Sequence, residues 1–296
     1  MVGGFLHLVI SSTVPVVLAS IGGMFSNVSG KLNIGLEGMI LTSAFFGVYS
    51  AYSSKSLLVG ILAGIISSCV LAFVMAYLSF FLKANIFVVG LATNLFAMGL
   101  TVFLGAVLFG SKGTLIFDKA PLLRNIELPI KNIDFLRELL SGYNIIEYST
   151  PFLVLLSHLV LFKTPFGYRL RAIGKNETAA ADIGINVRKT RTIAYLAGGI
   201  FTGLSGLALS LPLGSFVAGM SNNRGWMALV AVILGGEKPV NVMVVSFFFG
   251  LITSLSNVLQ TSTKLPSDLL MSLPYFATVL AMVLYSLTRK RVWFKR

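Results

Sequence analysis

The sequence predicts an all-α protein, a bundle of about nine transmembrane helices, with eight and ten as the neighbouring counts. Three observations lead to this fold class. Hydrophobic residues make up 56% of the 296 residues and charged residues only 11%, nine long windows carry no charge, and the mean hydropathy is +0.89. A soluble chain contains about 25% charged residues, whereas roughly 20 apolar residues in a helix cross about 30 Å of hydrocarbon. Soluble enzymes, secreted disulfide-bonded domains and nucleic-acid-binding proteins are therefore excluded.

The predicted spans follow the uncharged windows in chain order. They are residues 5–25, 36–54, 57–82, 86–110, 145–163, 192–212, 221–240, 240–260 and 268–288. Segment 221–240 is the exception in length, because an uncharged core of about 12 residues extends only about 18 Å as a helix. Taken alone, it has the length of a re-entrant helix.

The basic residues decide the orientation of the spans. Seven of the 23 Lys and Arg residues lie in one loop and five close the chain: Lys163, Arg169, Arg171, Lys175, Arg188, Lys189, Arg191, then Arg289, Lys290, Arg291, Lys295 and Arg296. Such clusters beside apolar spans are typical of cytoplasmic loops. If both clusters are cytoplasmic, an even number of spans separates them, so segment 221–240 must cross. The C-terminus is then cytoplasmic, and the N-terminus and loop 111–143 lie outside.

Loop 111–143 is the long connection on the predicted outer side. Apolar residues recur near its end at helical spacing with charges between them, which predicts a short helix at the membrane interface. These residues are Ile133, Leu136, Leu139 and Leu140. Two roles are open for the loop, a solvated connector and a docking ledge for an external partner.

Glycine pairs inside the spans predict close helix packing. Gly60 with Gly64, and Gly199 with Gly203, are four residues apart, so each pair gives its helix a flat face that another backbone can approach. The pairs indicate a helical bundle and carry no information about activity.

The sequence shows no energy source of its own. No Walker motif lies between a strand and a helix, and the span interiors lack the carboxylates and histidines that ion-driven carriers use as relays. The single Cys69 offers neither a disulfide nor a metal cluster. We therefore expect a non-enzymatic conduit without a metal or cofactor of its own, which another subunit drives.

The basic loop contains a second predicted helix. Asn176 can cap its N-terminus, Glu177 suits the positive end of the helix dipole, residues 178–183 can form two turns, and Gly184 can end it. One interpretation seats its small surface in a groove of a partner. The other is an amphipathic segment that touches only lipid. The small residues are Ala172, Ala179, Ala180 and Ala181.

Residues 166–191 resemble the cytoplasmic loop of the permease subunits of bacterial ABC importers, in which a short Ala/Gly-rich helix docks on the ATPase. Residues 33–39 (NIGLEGM) and 224–236 (RGWMALVAVILGG) resemble the branch that imports simple sugars, nucleosides and branched-chain amino acids. The resemblance covers most of residues 5–288. The loop positions that carry it, and to which it assigns coupling to the ATPase, are Gly167, Arg169, Arg171, Ala172, Gly174, Asn176, Ala179, Ala180 and Gly184.

The resemblance implies one transmembrane permease domain, residues 1–296, with outer loop 111–143 and cytoplasmic coupling loop 163–191. It implies a type II ABC importer fold of about ten spans, a separate subunit that binds ATP and Mg²⁺, and an extracytoplasmic substrate-binding lipoprotein. The chain is one span shorter at its start, like the shorter of two paired permeases in nucleoside systems. We therefore expect a heterodimer with a longer permease in the cytoplasmic membrane of a bacterium.

The scarcity of charge in the spans favours a neutral or zwitterionic solute over a polyanion or a metal ion. The shortened form favours a nucleoside over a simple sugar, with a branched-chain amino acid third. A stand-alone secondary transporter is the rival class, and it needs a functional carboxylate in the membrane, for which Glu37 is the first candidate and Glu147 the second. A membrane scaffold that transports nothing is a third class.

Six polar residues are candidates for the translocation pathway. Asn33 and Glu37 are four apart and would share a face of a helix that begins near Ile34. In one interpretation Glu37 then sets a gate or contacts the second permease subunit. In the other it is only stabilised in the first helical turn by the helix dipole and by Lys31. Asn94 is either a pore residue or an interhelix hydrogen bonder. The remaining three, Asn222, Asn223 and Arg224, either close the outer end of the pathway or cap the short span.

Overall fold

The computed structural model describes residues 2–129, 134–263 and 266–293, and it confirms the predicted all-α class. The helices are α1 (Val2–Val28), α2 (Leu36–Ser54), α3 (Leu57–Phe80), α4 (Ile86–Phe109), α5 (Asp134–Leu140), α6 (Ile145–Lys163), α7 (Pro165–Lys175), α8 (Glu177–Asp182), α9 (Val187–Ser210), α10 (Arg224–Gly235), α11 (Pro239–Ser262), α12 (Ser267–Met271) and α13 (Leu273–Trp293). The two strands, β1 (Thr114–Ile116) and β2 (Ser215–Val217), pair antiparallel.

All nine predicted spans are helical, and seven helical stretches in the described residues are long and apolar enough to cross a membrane by themselves. The other two predicted spans coincide with α2 and α10. Helix α2 carries Glu37 and several hydroxyl groups, and it is enclosed by α3, α4, α9 and α10. Because its neighbours are protein, α2 does not need the apolar surface of a lipid-facing helix. Helix α10 has only 12 residues.

The connections gather at two opposite ends of the bundle. At one end, β1 in loop 111–143 pairs with β2 after α9, and the ring of Tyr143 stacks on His7 near the start of α1 at 4.2 Å. At the other end, Gly174 of the basic loop packs against Val28 and Gly30, where α1 ends. We call these the outer-loop end and the basic-loop end. The two loops therefore lie on opposite sides, as the parity argument predicts.

Helix α10 begins near the middle of the bundle. Its residue Met227 packs in a buried cluster with Val16, halfway along α1, and its end at Gly235 packs against the first turn of α11. From there α11 returns to the outer-loop end, where the Ser254 hydroxyl donates to the Leu8 carbonyl at 3.1 Å. Segment 211–236 thus crosses as non-helical chain followed by a half-length helix, which explains why its uncharged core is short.

Glycine allows α3 and α9 to pack closely, as the pairs four residues apart predict. A Cβ built on Gly199 would lie 3.0 Å from the Cα of Cys69, and one on Gly203 would lie 3.0 Å from the Cα of Ile65. On α3, a Cβ at Gly64 would collide with Leu207. Backbone contact of this kind supplies the van der Waals packing that holds helices together in lipid.

The short helix predicted at the end of the outer loop is present as α5. It packs on α1. The turn after it places Gly142 at a positive φ of +89°, which glycine adopts without strain. The predicted residue Ile133 lies outside the described residues, as do Lys295 and Arg296 of the C-terminal cluster. The outer loop is therefore fastened to the start of α1.

Candidate functional site

The chain enters α2 through a non-helical segment, residues 29–35, at the basic-loop side of the bundle, and residues 33–35 of it are buried. The side chain of Asn94 of α4 hydrogen-bonds to the backbone just before the start of α2 and in its first turn. Its Oδ1 accepts from the Gly38 N–H, and its Nδ2 donates to the Ile34 carbonyl, each at 2.8 Å. The first N–H groups of a helix have no partner within it, so this amide satisfies backbone that lies at membrane depth. Of the two interpretations of Asn94, the structure supports the interhelix hydrogen bond.

Asn33 lies before the helix rather than on it. Helix α2 begins at Leu36, so the prediction that Asn33 and Glu37 share a helical face is wrong. The Asn33 side chain is fully buried, and its Oδ1 accepts from the Gly35 N–H at 3.0 Å. The Asn33 side chain stabilises the turn into α2. In this conformation it does not line an open translocation pathway.

Glu37 joins the start of α2 to the start of α10. Its Oε1 accepts from the Ser221 hydroxyl at 2.5 Å and the Asn223 N–H at 2.8 Å, and its Oε2 accepts from the Gly225 N–H at 2.7 Å. A carboxylate at this position also complements the positive end of the α10 dipole. The observed partner of Glu37 is therefore the start of the half-length helix α10 of the same chain.

The segment that leads into α10 presents exposed polar groups beside Glu37. Asn222 and Asn223 take positive φ angles of 45° and 60°, and the Asn223 Nδ2 donates to the Tyr275 hydroxyl at 3.1 Å. Arg224 donates to the Met220 and Ser221 carbonyls, both at 3.2 Å. These three residues lie level with the middle of α1, which places them deeper than the outer end of the pathway that one sequence interpretation assigned to them.

A small polar cavity of about 30 Å³ lies beside Arg224, between α10, α11 and α13. Its polar lining comes from Asn222, Arg224, Thr253, Asn257, Gln260 and Tyr275. Together with Glu37, Asn33 and Asn94, these groups form a region that we call the central junction. Apart from Glu37 and Arg224, the polar groups of the junction are amides and hydroxyls, and the Nε of Arg224 is buried without a hydrogen-bond partner among the described residues.

In the basic loop, the helix predicted from Asn176 to Gly184 is present as α8. The Asn176 Oδ1 accepts from the Ala179 N–H at 3.1 Å, and Gly184 ends the helix with a φ of +86°. A further helix, α7, precedes it and was not predicted. Thr164 caps α7 and Pro165 occupies its first turn, which is a favourable start because proline lacks the N–H that would be unpaired there.

The predicted coupling residues divide into an inward and an outward set. Ala180 is only 2% exposed, so the expectation that it faces a partner is wrong; it packs α8 onto the rest of the loop. Gly167 and Gly174 also face inward, because a Cβ on either would overlap backbone carbonyl oxygens, at Leu161 and Val28 respectively. Exposed positions are Arg169, Asn176, Ala179 and Gly184, and Gly174 is exposed on the side away from Val28, while Arg171 and Ala172 are half-buried.

Arg191, in the first turns of α9, is a functional candidate that the sequence analysis did not single out from the other six basic residues of the loop. Its Nη1 pairs with Glu177 of α8 at 2.8 Å, and its Nε and Nη2 both donate to the Ser29 carbonyl at 3.2 Å. The hydrogen bond from Arg191 holds the pKa of Glu177 below its usual value. Arg191 is 5% exposed and connects α8 to the end of α1.

The sequence does contain a signal for this burial. Arg191, Tyr195, Gly198 and Thr202 are spaced by four, three and four residues, so they share one helix face. The other members of that face are buried against α1 and α3. The position of Arg191 at the start of this helix face predicts its burial, whereas its position in a charged loop does not.

Comparison with known proteins identifies the family. Residues 5–287 match the family model described as branched-chain amino acid transport system / permease component. The nucleoside ABC transporter permease protein NupC of Lactococcus lactis is 33% identical over 94% of this chain and 90% of its own length. The guanosine ABC transporter permease protein NupQ of Bacillus subtilis is 30% identical over 90% of this chain and 87% of its own length. This chain belongs to that permease family.

The fold of this permease also resembles a solved transporter. A metal-chelate type ABC transporter in an inward-facing conformation matches with a TM-score of 0.53 at 16% identity, over 95% of this chain and 85% of that one. At this identity the likeness concerns the fold alone. The permease is thus a multi-pass membrane subunit of an ABC transporter, which implies an ATP-binding subunit.

Proposed function

We propose that this permease carries a nucleoside inward across the cytoplasmic membrane of a bacterium, by alternating access, with a simple sugar as the second candidate. The single observation that carries the nucleoside assignment is the full-length similarity to two permeases named for nucleoside and guanosine transport. The central junction is consistent with it, because most of its polar groups are amides and hydroxyls, which suit a neutral solute. The family name mentions branched-chain amino acids, which keeps that substrate class third.

The basic loop is the proposed contact with the ATP-binding subunit. Helix α8 projects at the basic-loop end, and the apolar side chain of Ile183 directly after it is 75% exposed. Arg191 then connects α8 to the Ser29 carbonyl at the end of α1. A push on α8 would reach α1 through this guanidinium. Contact with a cytoplasmic ATPase and the positive charge of the loop both favour a cytoplasmic basic-loop end.

Two further partners complete the proposed transporter. Exposed apolar side chains on α3, α4 and α13, among them Leu58, Leu95 and Phe276, offer surface for lipid and for a second, longer permease. Loop 111–143 at the opposite end is the proposed ledge for an external substrate-binding lipoprotein. The pairing with a second permease is proposed from the resemblance to nucleoside systems.

Reconstitution tests the proposal directly. We expect vesicles that contain this permease, the longer permease and the ATP-binding subunit to accumulate labelled guanosine when ATP and the binding protein are supplied. Labelled ribose and leucine, tested in parallel, distinguish the sugar and amino acid alternatives. Accumulation by this chain alone without ATP would contradict the proposal and favour a secondary transporter. Glu37, the first candidate for a carrier carboxylate, is already held by three donors.

A further inference from the structure

A large cavity opens at the basic-loop end, apart from the central junction. Its volume is about 710 Å³, within the range of roughly 300–1,000 Å³ typical of ligand sites. One wall is the turn between α3 and α4, and the other is formed by α8 and the start of α9. We call it the basic cleft, and its polar lining includes Lys31, Lys83, Glu177, Arg188 and Arg191.

The basic cleft carries an excess of positive charge. Its lining holds four cations and one carboxylate, and that carboxylate, Glu177, is already paired with Arg191. Lys31, Lys83 and Arg188 make no ion pair with any residue that the structure describes. The N-termini of two 24-residue helices, α4 and α9, also border the cleft, and their dipoles add to the positive potential. The cleft is therefore suited to an anion.

The wall formed by the turn between α3 and α4 is open and, apart from Lys83, Ser79 and Asn85, apolar. Phe80, Ile86 and Phe87 line it, and Phe87 is 55% exposed. Neighbouring residues of the same turn, Phe81, Leu82 and Val88, are exposed as well. Because the turn joins two membrane-crossing helices, it lies where acyl chains meet headgroups. A free inorganic anion would make no use of this apolar surface.

We propose that the basic cleft binds an anionic phospholipid, with the headgroup phosphate near Lys83 and Arg188 and an acyl chain against Phe87. Basic pockets between membrane helices on the cytoplasmic side are suited to lipid phosphates. The phosphate would give Lys83 and Arg188 the anionic partner that neither has as an ion pair within the described chain. The lipid would bridge the α3–α4 turn to α8 and α9.

Lipid titration of the purified full-length chain tests this assignment. Native mass spectrometry counts phosphatidylglycerol molecules bound to the wild type and to a Lys83→Gln/Arg188→Gln double variant. Both side chains are exposed, so their replacement spares the core. Because each basic residue near a membrane surface contributes about 1 kcal/mol to binding an anionic lipid, affinity should fall on the order of tenfold to thirtyfold. Lys189→Gln is the matched control, since it removes a neighbouring charge outside the cleft.

Each further arm supports or overturns the proposal. Phosphatidylcholine with the same acyl chains should bind more weakly to the wild type and should not distinguish the variants. Equal binding of the two lipids, or unchanged phosphatidylglycerol binding in the double variant, would overturn the assignment. Competition by inorganic phosphate as effective as that by the lipid would show a free-phosphate site instead. Loss of ATPase association with lipid binding intact would make the cleft a protein-docking surface.

Discussion

At the residue scale, single polar side chains hold together the places where the backbone leaves its helices. Asn94 and Glu37 accept or donate five hydrogen bonds to the segments that begin α2 and α10. Non-helical backbone is tolerated at membrane depth only where protein or a water-filled cavity satisfies it. These residues are therefore expected to matter for stability before they matter for solute contact.

Glu37→Ala should destabilise the permease more than a surface substitution does. It removes three acceptor contacts and leaves the Asn223 and Gly225 N–H groups without their partner. Since hydrogen bonds to charged groups contribute about 1.5–3 kcal/mol, we expect a loss of at least about 2 kcal/mol. Thermal unfolding in detergent measures the change, with the exposed Glu237→Ala as control. Equal melting temperatures would show that the Glu37 contacts contribute little.

Arg191→Lys should weaken the connection between α8 and α1 while it keeps the charge. A lysine cannot reach Glu177 and the Ser29 carbonyl with a planar fork as Arg191 does. We expect ATP-driven uptake to fall severalfold while the ATP-binding subunit still copurifies. Arg188→Lys is the matched control in the same helical turn. Wild-type uptake by Arg191→Lys would contradict the proposed transmission through this side chain.

The same pair predicts a pH dependence. The folded-state pKa of Glu177 is lowered, so its contribution to stability is present above the ordinary pKa of glutamate and is lost as pH falls through the lower folded value. The difference in melting temperature between wild type and Glu177→Gln should therefore be constant from pH 8 to pH 6 and shrink below about pH 4. A difference that changes between pH 8 and pH 6 would point to another titrating group.

At the element scale, the half-length helix α10 depends on a contact that only glycine permits. A Cβ on Gly225 would lie 2.6 Å from the Cα of Glu37 and would also overlap its backbone nitrogen. Gly225→Val should therefore destabilise the chain by about 1–3 kcal/mol or more, the usual range for overpacking. Gly99→Val is the control, because no atom lies within 4 Å of the position of its Cβ. The yield and melting temperature of the purified chain provide the comparison.

Helix α8 and the residue after it form the proposed contact with the ATPase. Ile183→Asp should reduce copurification of the ATP-binding subunit by tenfold or more, since a buried apolar anchor at an interface contributes about 2 kcal/mol or more. Ile116→Asp is a matched control, because Ile116 is 71% exposed but lies at the outer-loop end. Ala180→Arg is a poorer probe than the sequence suggests, because Ala180 is buried and the change would disturb the loop itself.

At the scale of the whole molecule, the outer loop and the basic loop lie at opposite ends of the bundle. The positive charge of the basic loop predicts that its end is the cytoplasmic one. In a Cys69→Ser background, a membrane-impermeant maleimide should label Lys119→Cys in intact spheroplasts. Lys175→Cys should be labelled only after the membrane is permeabilised. Both positions are exposed, so accessibility alone does not separate them. The reverse pattern would place the basic loop outside and would exclude its contact with a cytoplasmic ATPase.

Much of the fold follows from the sequence, because lipid imposes strict requirements on a chain. The nine uncharged windows predicted nine helical segments, the Asn176 cap and Gly184 predicted α8, and parity predicted that segment 221–240 crosses. The chain could not reveal which side of α8 faces inward, since three consecutive alanines give no hydrophobic contrast. It also could not show that α2 begins after Asn33, because that start depends on Asn94 of another helix.

The sequence by itself determined the class of protein, the approximate number of membrane segments and the end of the bundle at which each loop lies, because apolar length and charge are properties of the linear chain. The tertiary structure alone decided that Glu37 binds α10, that Arg191 joins α8 to α1, and that the basic cleft exists. The contacts of Glu37 with Asn223 and of Arg191 with Ser29 join groups 150 or more residues apart, and the basic cleft is formed where several loops meet. Their geometry is set by packing, which no local pattern records.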